Sequence, residues 1–86
     1  MSQSEAVLPT TLSVPIYCRA AFDMGEATSY AAARRGDVPT IKIGGLLKVP
    51  VRVALAKMAG GDPDVLKALT ADFAAKLNRL MAEQAA

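Results

Sequence analysis

Residues 23–50 read DMGEATSYAAARRGDVPTIKIGGLLKVP, and their order decides the fold. Asp23-Met24-Gly25 breaks one helical pattern, and Glu26–Arg35 begins another. That second segment is rich in alanine at 27, 31, 32 and 33, which favours helix. Gly36 is placed as its C-terminal cap, and Pro39 prevents a restart. Ile41-Lys42-Ile43 then alternates apolar with basic, as a half-buried strand does. Gly44-Gly45 is a hairpin turn signal, and Leu47-Lys48-Val49 alternates again. The expectation is that Lys42 and Lys48 share the outward face, with Ile41, Ile43, Leu47 and Val49 turned inward.

Working outward, Ser13 is a good N-cap and Pro15 suits a first helical turn, so a helix is expected from there to Phe22. Its inner face is Tyr17, Ala20 and Ala21, with Cys18 a small buried hydrophobe. Residues 1–11 are polar with Pro9 and read as a loose arm. Pro50 opens a short helix over 51–59, with Val51, Leu55 and Met58 at helical spacing and Gly60-Gly61 after it. The last segment, DPDVLKALTADFAAKLNRLMAEQAA, has Asp62 as N-cap, Pro63 at the first position and Asp64 complementing the dipole. Leu66, Leu69, Phe73, Leu77 and Leu80 draw one apolar stripe along it. The stripe serves either packing or self-association. The core ahead of it looks complete, so both uses stay open.

With 86 residues, one domain is the default, divided into the arm (1–11), a central unit (12–60) and the C-terminal helix (61–86). A chain this short buries only about 60% of its unfolded surface. It has one cysteine, so no internal disulfide can form, and no histidine, which excludes a Ser-His-Asp triad, a Cys-His dyad and any His-bearing zinc site. Gly44-Gly45 is too short for a nucleotide loop. No enzyme activity, metal or cofactor is expected. No run approaches the roughly 18 apolar residues of a membrane span. No signal-peptide pattern opens the chain, so a cytoplasmic protein with no membrane partner is expected.

Net charge is only +2, but it is unevenly spread. Residues 1–29 carry −2 (Arg19 against Glu5, Asp23 and Glu26). Residues 30–57 carry +5 (Arg34, Arg35, Lys42, Lys48, Arg52 and Lys57 against Asp37). Residues 58–86 carry −1 (Lys67, Lys76 and Arg79 against Asp62, Asp64, Asp72 and Glu83). Such asymmetry points to a polyanion as partner. The order helix, short turn, helix, β-hairpin, helix is that of a helix-turn-helix followed by a wing. A mainly α chain with a small β-hairpin, a winged helix-turn-helix plus a C-terminal amphipathic helix, is therefore the expected fold. In such an arrangement the second helix enters the major groove and the hairpin reaches backbone or minor groove, each needing donors and positive charge. Thr28, Ser29, Tyr30, Arg34 and Arg35 are the candidates on the helix; Lys42, Gly44, Gly45 and Lys48 are those on the wing. Tyr30 serves either as core packing or as a phosphate ligand. Arg52 and Lys57 read as solvated helix charges. The cations are expected to converge on one surface that fits a duplex.

The stretch 12–59 resembles the excisionase-like, MerR-related winged helix-turn-helix domains. Tyr30 with Arg34-Arg35-Gly36, then Asp37-Val38-Pro39, then Ile43-Gly44-Gly45 with Val49-Pro50 carry the likeness. The resemblance implies a non-catalytic partner of double-stranded DNA, a recombination directionality factor in the bacterial nucleoid. Such a protein binds adjacent sites near an attachment site, self-associates there, and assists a separate integrase in excising a mobile element. It equally implies a small transcriptional regulator. Glu26, Ala27, Ala31 and Leu46 stand where the family carries reading donors or basic side chains. They keep a further alternative open, a protein-interaction module such as an anti-activator.

Overall fold

The computed structural model describes residues 8–85. Its elements run β1 (Thr11–Ser13), α1 (Val14–Phe22), α2 (Glu26–Arg35), β2 (Ile41–Ile43), β3 (Leu46–Pro50), α3 (Val51–Ala59) and α4 (Pro63–Ala85). The chain is mainly helical, with a small antiparallel sheet of order β1-β3-β2.

Each helix boundary has a local cause. Pro15 lies in the first turn of α1, and Asp23 ends that helix in the left-handed region at φ 58°. The Asp23 N–H donates to the Arg19 carbonyl at 3.0 Å, and the Asp23 carboxylate takes the Arg19 guanidinium at 3.1 Å. Gly36 closes α2 at φ 84°, a conformation open to glycine without strain, and lets the Asp37 N–H reach the Ala32 carbonyl at 3.0 Å. Asp62 caps α4 through its Oδ1, which accepts from the N–H groups of Asp64 at 2.9 Å and Val65 at 3.3 Å.

β1 was not anticipated. Three residues with one apolar member give no readable period. The strand exists because Leu12 pairs with Val49 and the Val51 N–H donates to the Thr10 carbonyl at 3.0 Å. Leu8 is buried as well, so the expected loose arm does not extend to residues 8–11; residues 1–7 lie outside the described part.

The core forms where α1, β3, α3 and α4 meet. Val14, Tyr17, Cys18, Val49, Val51 and Leu55 are its fully buried members. The Tyr17 and Phe73 rings lie with centroids 5.2 Å apart, and Phe22 meets Tyr17 edge-on at 6.1 Å. Burial pushes the Tyr17 phenol up to about 12, with the neighbouring Cys18 adding to the rise. Burial also raises the Cys18 thiol, which the Ser29 hydroxyl partly offsets.

Two expectations are corrected. The α4 stripe is not spare. Phe73 and Leu77 are 2% and 6% exposed within the core, and Leu66 and Leu80 pack against it. The buried face of α2 is only Ser29, Ala32 and Ala33, so the core is not complete without α4, and Phe73 supplies bulk that α2 lacks. Packing is therefore the use the structure shows for Phe73, Leu77, Leu66 and Leu80, while Leu69, half-buried, does not belong to the core cluster.

The second correction concerns the hairpin. Gly44 and Gly45, both at positive φ, make a two-residue turn that pairs Ile43 with Leu46, Lys42 with Leu47 and Ile41 with Lys48. Directly opposed residues share a face, so Lys42 and Lys48 lie on opposite faces. The face turned to the core carries Leu47, Val49 and Leu12, and Lys42, expected outward, lies on this same face, exposed on the edge strand. Ile41, Ile43 and Leu46 sit outward with Lys48, and are 41%, 52% and 62% exposed. The expected faces required Ile43 opposite Leu47, one residue out of register, and a slip of one turns every side chain of a strand over.

Candidate nucleic-acid interface

α1, the turn 23–25 and α2 fix the base of the site. The buried side of α2 is Ser29, Ala32 and Ala33. Ser29 is 0% exposed, and its hydroxyl donates to the Gly25 carbonyl at 2.7 Å. It supplies no donor to an outside partner, which corrects its place among the contact residues. Gly25, at the N-cap position, makes no side-chain cap, and its carbonyl accepts from both the Ser29 N–H at 2.9 Å and the Ser29 hydroxyl. Tyr30 is half-buried and packs against the core, at the margin of the exposed side.

The outward side of α2 is set by helical spacing. Ala27, Ala31 and Arg34 follow one another at intervals of four and three, with Thr28 and Arg35 seven apart on one edge. Thr28, Arg34 and Arg35 are all exposed. The small alanines between them let a large partner approach the helix backbone. Arg35 is held by Asp37, its Nε at 3.0 Å and its second terminal nitrogen at 2.8 Å from Oδ2. Arg34 has no ion-pair partner among the described residues. The two arginines are thus unequal, one docked against the turn and one open.

The hairpin follows within a short reach. Six residue steps separate Arg35 from Ile41, at most about 21 Å of extended chain. β2 packs chiefly on β3, so the tip at Gly44-Gly45 stands away from the helices. Lys42 is exposed on one face and Lys48 half-buried on the other. Arg52 and Lys57 are exposed on α3, the element that continues from β3. None of these cations is ion-paired among the described residues.

The structure therefore keeps four candidate side chains of the site exposed (Thr28, Arg34, Arg35 and Lys42), half-buries Tyr30 and Lys48, and withdraws Ser29. Sequence reading missed the apolar outer face of the hairpin. The signal was present: a Gly-Gly pair flanked by Ile43 and Leu46 defines a two-residue loop, and the parity of the strand faces follows from it.

Elsewhere the surface offers less. A groove of about 470 Å³ between the end of α1 and α4 mixes Arg19, Lys76 and Arg79 with Asp23 and Glu83. A smaller cleft of about 230 Å³ has Phe22, Val38 and Met58 in its walls and Tyr17 at its base, where the hydroxyl meets the Met58 sulfur at 3.5 Å. No cluster of three or more His, Cys, Asp or Glu side chains able to hold a metal occurs among the described residues. No described helix is long and apolar enough to cross a membrane. No family model matches this chain, and no curated protein or solved structure matches it.

Proposed function

We propose that this chain is a DNA-binding architectural protein of the excisionase type, with no catalytic activity, acting beside a separate integrase. In this reading α1 and α2 are the helix-turn-helix, α2 enters the major groove, and the β2–β3 hairpin is the wing. The observation that carries it is the charge between residues 34 and 57. Arg34, Arg35, Lys42, Lys48, Arg52 and Lys57 face a single acid, Asp37, and all but half-buried Lys48 are exposed. The expected convergence on one surface fails for Lys42 and Lys48, which lie on opposite faces of the hairpin, so the reading rests on the density of positive charge in this stretch, which releases counterions from a duplex on binding. Thr28 adds an uncharged donor on the same helix, and Ala27 and Ala31 permit close approach.

The two hairpin lysines, on opposite faces, fit this reading only if the hairpin engages the nucleic acid with both sides. A ribbon entering a groove does so; a ribbon lying flat on a phosphate row does not. A small transcriptional regulator using the same surface is the second reading, since the charge pattern serves a promoter equally. Recombination and transcription are separated by an excision assay with a candidate integrase, not by the binding surface.

The test is a fluorescence-anisotropy titration on attachment-site duplex at 50 and 200 mM salt, with wild type and Arg34→Ala/Arg35→Ala. Binding by the wild type should weaken steeply with salt, and the double variant should lose at least tenfold in affinity with a salt slope reduced by about two. Undiminished binding by the double variant removes α2 from the interface. Absence of duplex binding by the wild type favours the interaction-module reading, for which Glu26 and the exposed Leu46 are the relevant surface features.

A further inference from the structure

The smaller cleft, of about 230 Å³, lies where α1, the connection from α2 to β2 and α3 meet. Its walls are apolar, formed by Phe22, Val38, Pro39 and Ala54. Phe22 and Met58 border it with 43% of their surface still open. The base is polar at one point. Tyr17 is 1% exposed, and the partner of its hydroxyl is the Met58 sulfur at 3.5 Å. A thioether is a weak acceptor. The Tyr17 phenol keeps its proton up to about 12, so at neutral pH it is a donor. It is a donor held in an apolar recess and matched to a poor acceptor.

Two charges, Asp37 and Lys57, stand at the mouth. The Asp37 Oδ2 already takes the Arg35 guanidinium at 3.0 and 2.8 Å. Lys57 is exposed and has no ion-pair partner among the described residues. The mouth therefore presents one neutralised acid and one open cation.

We propose that this cleft binds a small aromatic carboxylate with a hydroxyl at the far end of its ring: the ring against Phe22, Val38 and Pro39, the hydroxyl at Tyr17 and the carboxylate at Lys57. Size sets the class. A dry cavity of about 150 Å³ takes benzene, so this one takes a single substituted ring of roughly ten non-hydrogen atoms. Shape favours an aromatic ring. Phe22 meets Tyr17 edge-on at 79°, and a flat ring entering that corner finds the edge and face contacts that aromatic groups prefer. The ligand hydroxyl inserts between Tyr17 and Met58, accepting from the phenol and donating to the sulfur. Met58, unbranched and flexible, can move aside to admit it.

The larger groove between α1 and α4 is a poorer candidate. Its cations are largely answered, Arg19 by Asp23 at 3.1 Å and Lys76 by Asp72 at 3.0 Å, and no buried donor lies at its base. An apolar side chain of another protein would fill the smaller cleft without an oxygen for Tyr17 or an anion for Lys57. The proposal goes beyond the DNA-binding reading and does not rest on it. Lys57 alone is shared between them.

The experiment titrates the full chain at neutral pH with 4-hydroxybenzoate, benzoate and 4-hydroxybenzyl alcohol, without nucleic acid, following amide shifts. For 4-hydroxybenzoate, saturable shifts at residues 17, 22, 37–39 and 54–58 should give a Kd of about 0.1–1 mM, as suits so few atoms. Benzoate, lacking the hydroxyl, should bind about fivefold more weakly. The alcohol, lacking the carboxylate, should bind about threefold more weakly, an exposed ion pair being modest. Tyr17→Phe should weaken 4-hydroxybenzoate about fivefold and leave benzoate unchanged. Lys57→Ala, a surface change, should weaken both carboxylates about threefold and leave the alcohol unchanged.

Absence of saturable shifts by about 10 mM 4-hydroxybenzoate overturns the proposal. So do equal affinities for the three compounds, which would make the cleft an apolar crevice without polar recognition. Shifts centred on Arg19, Lys76 and Arg79 would show an anion drawn to the other groove instead. Ligand shifts that disappear as protein concentration rises, replaced by shifts at Ile43 and Leu46, would give the cleft to a second copy of the chain. Each of these results leaves the DNA-binding reading as it was, because its own test is a duplex titration.

Discussion

α4 and the β2–β3 hairpin carry apolar residues at equally regular spacing, yet the protein buries one set and exposes the other. Phe73 and Leu77 lie in the core beside Tyr17 and Leu55, while Ile43 and Leu46 stand in solvent. A helical stripe can rotate a few degrees to meet whatever surface is available, so amphipathic period alone nearly guarantees burial. A strand has only two orientations, and the loop beside it chooses between them. The same chemistry therefore supports the fold in one region and serves the surface in the other. That difference can be measured residue by residue.

The largest effect is expected in the buried stripe. Phe73→Ala removes the ring packed at a tilt against Tyr17 and leaves a cavity among α1, α3 and α4, at a cost of about 3–5 kcal/mol. With total stability of roughly 0.05–0.15 kcal/mol per residue, that is a large share for a chain of this length. Urea unfolding should show a steep fall in the midpoint, or no folded baseline. A shift of only a few tenths of a molar would mean that α4 is not anchored as described.

Tyr17, the partner of that ring, gives the next effect and ties it to pH. Its phenol ionises near 10 in the unfolded chain and near 12 when folded. The folded state thus holds its proton longer. The stability gained is complete below pH 10 and is lost as pH rises towards 12, about 2–3 kcal/mol in all. The buried Cys18 thiol, also raised, acts in the same direction from a lower pH. Unfolding free energies of wild type and Tyr17→Phe from pH 7 to 11.5 should diverge only above pH 10, with the variant declining less. Parallel curves would place the Tyr17 hydroxyl in contact with water.

How far the sequence made all this legible follows the same division. α1, α2 and α3 were readable to the residue, because Ser13-Pro15, Asp23-Gly25, Gly36 and Pro50 are local signals at their boundaries. β1 was not, because its strand character comes from Val49 and Thr10, pairings that no local window contains. At the candidate site, Arg34, Lys42 and Thr28 were legible as exposed polar positions in an alanine-rich or alternating pattern. Ser29 was misread because a hydroxyl back-bonded to Gly25 one turn earlier looks, in sequence, like any surface serine. The hairpin faces were misread through parity, although the Gly-Gly pair contained the answer.

That pair can be tested directly. Gly45 lies at φ 87° with nothing within 4 Å of where a Cβ would stand, so Gly45→Ala adds conformational strain without a clash. The cost should be about 1–2 kcal/mol, the usual penalty for an L-residue held left-handed. It should fall on the hairpin alone, because β3 remains paired to β1. Amide exchange of residues 41–43 should accelerate while that of α1 and α4 is unchanged. Acceleration throughout the molecule would show that the hairpin folds as one unit with the helices.

The smallest stability effect is expected for the residues whose spacing made them look most like core. Ile43→Thr/Leu46→Thr exchanges two side chains that are already more than half exposed, on an edge ribbon that packs chiefly on itself. Surface changes of this kind stay within about 0.5 kcal/mol, and threonine keeps the strand preference. The unfolding midpoint should therefore remain within error of wild type, while Phe73→Ala moves it furthest. If the threonine pair instead cost as much as a core truncation, Ile43 and Leu46 would have to be covered in the folded protein, and the hairpin would face the helices through the side assigned here to solvent. A null effect on stability together with a loss of duplex binding would separate what these two residues do for the fold from what they do for a partner.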